Sequence, residues 1–121
     1  MKANELMLGN CILKHFEGGE GELEVVTSRT IFDCQVNPTG KFTYSGIPLT
    51  PEILEKCGFD YDASYEVPKV QKGNFILWDG FDGSFSANFG GLTRLDVYVK
   101  YLHQLQNLYF AITCQELEVK L

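Results

Sequence analysis

The chain has 121 residues, of which 45% are hydrophobic and 13% aromatic, and its formal net charge is −6. This length predicts a single domain over residues 1–121. The acidic balance argues against a long nucleic acid as the partner, because proteins that bind polyanions usually present a basic face.

The N-terminal third is predicted to form an antiparallel meander. Three segments alternate in polarity or are rich in β-branched residues: Asn10 to Phe16, Glu22 to Ser28 and Thr30 to Val36. Three glycines between Glu17 and Gly21 predict the first turn. Lys41 to Ser45 could add another short strand.

A two-turn helix with a clear start and stop is predicted next. Thr50 can cap its N-terminus, and Pro51 suits the first helical position, where its missing N–H has no intrahelical partner. Gly58 suits the left-handed position after the last turn, and Phe59 could then fold back onto the helix.

Two further strands are predicted as a hairpin, Asn74 to Trp78 and Ser84 to Phe89. The loop from Asp79 to Gly83 has two carboxylates but lacks the alternating oxygen ligands of a calcium loop, so it is predicted to be a turn. Asp60 and Asp62 are likewise predicted to lie in a solvated turn.

The last part of the chain carries the longest helical pattern. Arg94 to Val99 is predicted as a strand or as the lead into a helix from about Val99 to Thr113. One stripe of that helix is apolar: Tyr101, Leu102, Leu105, Leu108, Tyr109 and Ile112. Glu116 to Leu121 could pair as an edge strand. The predicted fold class is therefore α+β, with antiparallel sheet segments, one short helix and one long C-terminal helix.

Aromatic residues crowd the predicted hairpin. They could form the core, or they could form a platform on which a nucleotide base stacks beside a cation that holds phosphate. On the second interpretation the ligand-binding residues are Lys41, Trp78, Asn88, Phe89 and Arg94.

The face of the last helix opposite its apolar stripe carries His103, Asn107 and Phe110. A phenylalanine there must be covered either by a second layer of the fold or by a second copy of the chain. We expect a homo-oligomer, with these three residues as the candidate interface.

The sequence shows no motif for catalysis, a metal or a cofactor. The four cysteines are not paired at CxxC spacing, neither His15 nor His103 lies in a known nucleophile motif, and no phosphate-binding glycine loop is present. We therefore expect no metal site, no cofactor and no enzyme activity. The N-terminus has no continuous apolar segment and no run is long enough to cross a bilayer, so a cytoplasmic protein without a membrane partner is expected.

Three blocks carry a family resemblance: the opening MKANELMLGN, the middle IPLTPEILEKCGF and the ending YLHQLQNLYFAITCQELEVKL. They cover about a third of the chain. They resemble a family of small phage, prophage and mobile-element proteins of Bacteroides-type bacteria, whose ending is close to YLHQLQNLYFALTGEELEI. Cys114 stands where that family commonly has glycine. The resemblance implies a mobile-element origin and a bacterial host cell, and it implies no chemistry.

Together these features indicate a non-catalytic phage or mobile-element binding protein. One form of such a protein is a counter-defence sponge, which sequesters a small nucleotide-derived signal made by the host. The alternative is a protein-interaction accessory or an inhibitor of a host protein, for which the acidic charge would suit a basic partner surface. A small enzyme is the least favoured interpretation.

Overall fold

A computed structural model describes residues 3–16, 21–36, 42–62, 69–89 and 93–121. They group into two compact units. The first unit comprises Met1–Ile47 and Tyr101–Asn107, and the second comprises Pro48–Lys100 and Leu108–Leu121. The expectation of a single domain stays a prediction.

The first unit contains a three-stranded antiparallel sheet in the order β2-β1-β3. The strands are β1 (Cys11–Phe16), β2 (Gly21–Val25) and β3 (Phe42–Gly46). A 3-10 helix (Ala3–Glu5) precedes β1, and helix α1 (Ser28–Val36) connects β2 toward β3.

The predicted strand from Thr30 to Val36 is wrong, because this segment is helix α1. Its start is capped by two threonines: the Thr27 backbone N–H donates to Thr30 Oγ1 (3.1 Å), and the Thr30 N–H donates to Thr27 Oγ1 (3.4 Å). Ile31 and Cys34, three residues apart, both pack on the buried cluster that contains Ile12. Such spacing places side chains on one helical face, and it outweighs the β-branched composition of the segment.

The second unit contains a five-stranded antiparallel sheet in the order β4-β5-β6-β7-β8. The strands are β4 (Asp60–Asp62), β5 (Lys69–Lys72), β6 (Phe75–Asp79), β7 (Phe85–Phe89) and β8 (Thr93–Val99). The hairpin of β6 and β7 is confirmed, and the segment before the last helix is a strand. The predicted turn at Asp60 and Asp62 is wrong, because these residues form β4, and the prediction contained no strand at the position of β5. Strands β4 and β5 are too short and polar to show an alternating pattern.

One face of the five-stranded sheet is buried. Five of its apolar residues are at most 3% exposed: Val70, Phe75, Leu77, Phe85 and Val99. The ring of Phe75 meets Phe59 edge-on (6.1 Å between centroids) and Tyr109 at a tilt (5.5 Å). Alternate residues of the strands therefore form the core, and the intervening residues lie on the opposite face.

Helix α2 (Pro51–Lys56) begins and ends as predicted. Thr50 Oγ1 accepts from the Ile53 N–H (3.2 Å). Gly58 has φ +87°, and the Phe59 N–H donates to the Leu54 carbonyl (3.0 Å), which is a Schellman ending.

Helix α3 (Leu102–Thr113) begins later than predicted, because Val99 still belongs to β8. Leu102 and Leu105 are fully buried, whereas Tyr101 at the start of the stripe is 38% exposed. Cys114 itself adopts the left-handed conformation after the helix (φ +57°).

The C-terminal tail does not form the edge strand expected for Glu116 to Leu121. It is attached by the Lys120 N–H, which donates to the Lys56 carbonyl (3.0 Å). Leu117 is buried in the same segment.

The α+β class is confirmed by the two antiparallel sheets and the C-terminal helix. Of the helices in the described ranges, none has the length and apolar character needed to cross a membrane.

Candidate functional site

Two rows of residues cross the face of the five-stranded sheet opposite the buried face. The first row, in ladder order, is Asp62, Lys69, Trp78, Ser86 and Tyr98. The second row is Asp60, Gln71, Ile76, Asn88 and Arg94. We call these ten positions the two-row face. Neighbouring strands lie about 4.8 Å apart, so each row spans about 19 Å.

The two-row face brings together three of the five predicted ligand residues. Trp78 and Asn88 are diagonal neighbours on β6 and β7, and Arg94 stands opposite Asn88 in the backbone register of β8. Phe89 is the last residue of β7, and Lys41 lies outside the described residues.

The indole of Trp78 is held in one orientation. The Asn88 side-chain amide is oriented so that its oxygen faces a donor and its nitrogen faces an acceptor. In this orientation Trp78 Nε1 donates to Asn88 Oδ1 (3.2 Å) and Asn88 Nδ2 donates to the Ala87 carbonyl (2.9 Å). Lys69 Nζ lies 6.0 Å from the centroid of a Trp78 ring, at the limit of a cation–π contact. Asn88 therefore positions the indole.

Sequence reasoning missed Lys69 and Tyr98 as members of this face. Lys69 lies in β5, whose four residues include a single apolar one, so no pattern marked it as a strand. Tyr98 is 61% exposed and shares the first row with Trp78. Only the strand pairing places the two aromatic residues in one row.

The β4 end of the two-row face borders a polar concavity of about 320 Å³. Its lining is Asp60, Asp62, Lys69, Gln71 and Gly73. The volume lies at the lower end of the roughly 300–1,000 Å³ usual for small-molecule sites. Two carboxylates beside one lysine suit a group that donates hydrogen bonds, such as a hydroxyl, better than an anion.

A second concavity of about 390 Å³ lies beside the end of α2. Lys56, Lys72 and Lys120 line it together with Glu55 and Glu118. Lys72 Nζ already donates to a backbone carbonyl, that of Cys57 (2.9 Å). The positive charge is largely balanced, so we do not place a phosphate there.

The loop between β6 and β7 is the predicted turn, and its carboxylates cap it. Asp79 Oδ1 accepts from the Phe81 N–H (2.8 Å). Asp82 Oδ1 accepts from the hydroxyl and the N–H of Ser84, and these hydrogen bonds lower the pKa of Asp82. Phe81 is 69% exposed and has φ +63°, which is unusual for a bulky residue.

Across the described ranges, no cluster of three or more metal-ligating side chains occurs.

His103 is buried in the first unit without a hydrogen-bond partner. It is 2% exposed, and within the described part of the chain neither Nδ1 nor Nε2 has a partner. Burial lowers the pKa of His103, against a smaller opposing effect of the Glu5 carboxylate, so the imidazole is neutral at neutral pH. A buried polar group without a partner costs about 1–3 kcal/mol, so this side chain requires an explanation.

A concavity of about 220 Å³ adjoins His103. Its other lining residues are Glu5, Tyr44, Ser45, Gly46 and Tyr101. The ring of Tyr101 lies nearly parallel to the imidazole, at 17° with 6.0 Å between centroids. A Cβ on Gly46 would approach the Tyr101 ring to 2.6 Å, so this close approach requires glycine.

Ser45 of this concavity contacts the other histidine. Its Oγ lies 2.6 Å from His15 Nε2, which joins β1 to β3 beside their ladder. An activated serine would also need a partner that orients the histidine and donors for an oxyanion. The expectation of a non-enzyme stays a prediction.

Of the three predicted interface residues, only Phe110 presents substantial surface. It is 41% exposed. His103 is buried, which corrects its placement on an open helix face. The Asn107 amide accepts from Asn10 Nδ2 (2.8 Å) and donates to the Glu5 carbonyl (2.9 Å), so it ties α3 to the N-terminal segment.

The four cysteines are free thiols. Burial raises the pKa of the Cys11 and Cys34 thiols. Both are therefore protonated and weakly nucleophilic at neutral pH.

Comparison with protein-family models, with curated proteins and with solved structures found no match.

Proposed function

We propose that the protein is a non-catalytic binding protein whose ligand is a small nucleotide-derived molecule held on the two-row face. The observation that carries this proposal is the convergence of Trp78, Asn88, Lys69 and the backbone position of Arg94 on one side of a single sheet. A rigid sheet positions binding groups more accurately than a loop does.

Stacking on Trp78 supplies the main attraction. Its hydrogen bond to Asn88 fixes the plane of the indole before the ligand arrives, which reduces the entropy lost on binding. A base stacked on an aromatic side chain contributes about 1–3 kcal/mol. Tyr98 is the second aromatic group in the same row.

The charges of the two-row face set the direction of the ligand. Asp60 and Asp62 at the β4 end would repel phosphate and accept hydrogen bonds from ribose hydroxyls. Arg94 stands at the β8 end, where a guanidinium can bind phosphate in a forked geometry. Because the ends lie about 19 Å apart, a single nucleotide is too short to reach both. An extended ligand with two nucleoside or ribose groups fits this spacing.

The family resemblance supports a role for this binding in a mobile element. A protein that captures a host signal without converting it would act as a counter-defence sponge. Such a protein needs a preorganised surface and no catalytic group, which agrees with the absence of a catalytic motif from the sequence.

Trp78 is the only tryptophan in the chain, so its fluorescence reports directly on the proposed site. We expect ADP-ribose derivatives or cyclic dinucleotides to quench it, and calorimetry to give the same affinity. Trp78→Ala should weaken binding roughly 5- to 150-fold, the equivalent of one lost stacking contact. Arg94→Lys should weaken binding as well, because lysine lacks the planar fork.

Tyr61→Ala is the matched control. Tyr61 is 41% exposed, but it pairs with Val70 of the buried face, so its removal should leave affinity unchanged. The ligand should be recovered intact after the protein is denatured. Failure of the whole panel to bind, or conversion of a ligand to a product, would contradict the proposal.

Failure of the whole panel would favour the alternative role as a protein-interaction accessory. The structural feature that supports this alternative is Phe81, an exposed aromatic side chain on a turn capped by Asp79 and Asp82. An apolar side chain flanked by carboxylates would suit an apolar pocket with a basic rim.

A further inference from the structure

The burial of His103 next to a concavity has no role in the proposed function. The imidazole is neutral, so one ring nitrogen can donate a hydrogen bond and the other can accept one. Within the described part of the chain both remain without a partner. Buried side-chain nitrogens are usually paired, so this exception requires an explanation, and a bound group that completes the site is one.

The lining of the concavity defines what it could hold. Ser45 and Tyr44 bring hydroxyl groups, and Glu5 brings a carboxylate that disfavours an anion. The volume of about 220 Å³ is below the range usual for drug-sized ligands, so it suits a single small ring. The parallel rings of His103 and Tyr101 favour a flat molecule.

We propose that this concavity is a second binding site, which takes a small neutral heteroaromatic amide, of the size of one nucleobase or of nicotinamide, through a hydrogen bond to His103. The amide N–H groups would face Glu5, and the amide oxygen or a ring nitrogen would face the imidazole.

Both imidazole nitrogens are closed off from solvent, so a ligand reaches them only when a neighbouring side chain moves. Within this proposal that side chain is Tyr101, whose ring lies beside the imidazole and is 38% exposed.

Imidazole nitrogen NMR tests this site directly, because the chain has only two histidines. Titration of the ¹⁵N-labelled protein with nicotinamide and uracil should shift one or both nitrogens of His103. His15, which already has Ser45 as its partner, should shift less. The spectrum is assigned with the His15→Gln variant. If no probe shifts a His103 nitrogen at millimolar concentration, the proposal is wrong.

Two variants separate a ligand site from a merely structural histidine. His103→Phe keeps a flat buried ring but removes both nitrogens, and it should weaken binding of the active probe by at least about tenfold. Glu5→Ala removes, at an exposed position, the carboxylate that the amide N–H groups would face, and it should also weaken binding even if His103→Phe fails to fold. Unchanged affinity in either folded variant would contradict the proposal. The test does not depend on Trp78, so it can fail separately from the proposed function.

Discussion

His103 is the residue whose environment departs most from what its chemistry favours. Burial lowers its pKa in the folded chain, whereas in the unfolded chain it titrates near its ordinary value of about 6.5. Below that pH the unfolded chain binds a proton that the folded chain does not, so the free energy of unfolding falls as the pH is lowered.

We expect His103→Phe to flatten this dependence. Between pH 7 and pH 5 the wild-type protein should lose stability relative to the variant, by at most about 1.4 kcal/mol per pH unit. Urea unfolding at several pH values measures the difference. His15→Gln is the control for the loss of an imidazole elsewhere in the chain. In this variant the part of the pH dependence of the free energy of unfolding that comes from His103 should be the same as in the wild-type protein. Parallel curves for wild type and His103→Phe would contradict the prediction.

Among the elements, α3 shows most clearly how a sequence pattern becomes packing. Leu102 and Leu105 are fully buried and Tyr109 is 8% exposed, so three of the six predicted stripe residues are buried, and Leu108 and Ile112 are partly buried. Tyr101 departs from the stripe because it precedes the helix and lies beside His103.

Leu105→Ala should therefore cost about 2–5 kcal/mol of the free energy of unfolding, the usual cost of truncating a buried leucine. Chemical denaturation followed by circular dichroism measures the loss. Glu55→Ala, at an exposed position of α2, is the matched control and should change stability by about 0.5 kcal/mol or less. A loss below about 0.5 kcal/mol in Leu105→Ala would show that the helix does not bury this stripe.

The two helices α1 and α2 differ in how visible they are in the sequence. The ends of α2 are marked by Thr50, Pro51 and Gly58, residues whose conformational preferences act locally. The start of α1 depends on two threonines that cap each other. Threonine and isoleucine are also enriched in strands, so their presence did not mark this segment as a helix. The local signal therefore favoured a strand until packing decided otherwise.

At the scale of the whole molecule, self-association remains a prediction. Phe110 is an exposed aromatic residue on α3, and a second copy of the chain could cover it. We expect light scattering at high micromolar concentration to show a dimer, which Phe110→Asp should convert to a monomer.

Phe81→Asp is the control for this substitution, because Phe81 is more exposed than Phe110 and lies in the β6–β7 loop. It should leave the dimer intact. A monomeric wild-type protein would contradict the prediction, as would a Phe110→Asp protein that remains dimeric.

The sequence by itself determined the α+β class, the limits of α2, the β6–β7 hairpin and the buried stripe of α3. These features follow from interactions within a few residues, or from a period that the chain repeats. The tertiary structure alone decided the helical state of α1, the short polar strands β4 and β5, and the burial of His103. It also decided that Lys69, Trp78, Asn88 and the backbone position of Arg94 share one face, since strand order and register depend on pairing between distant segments.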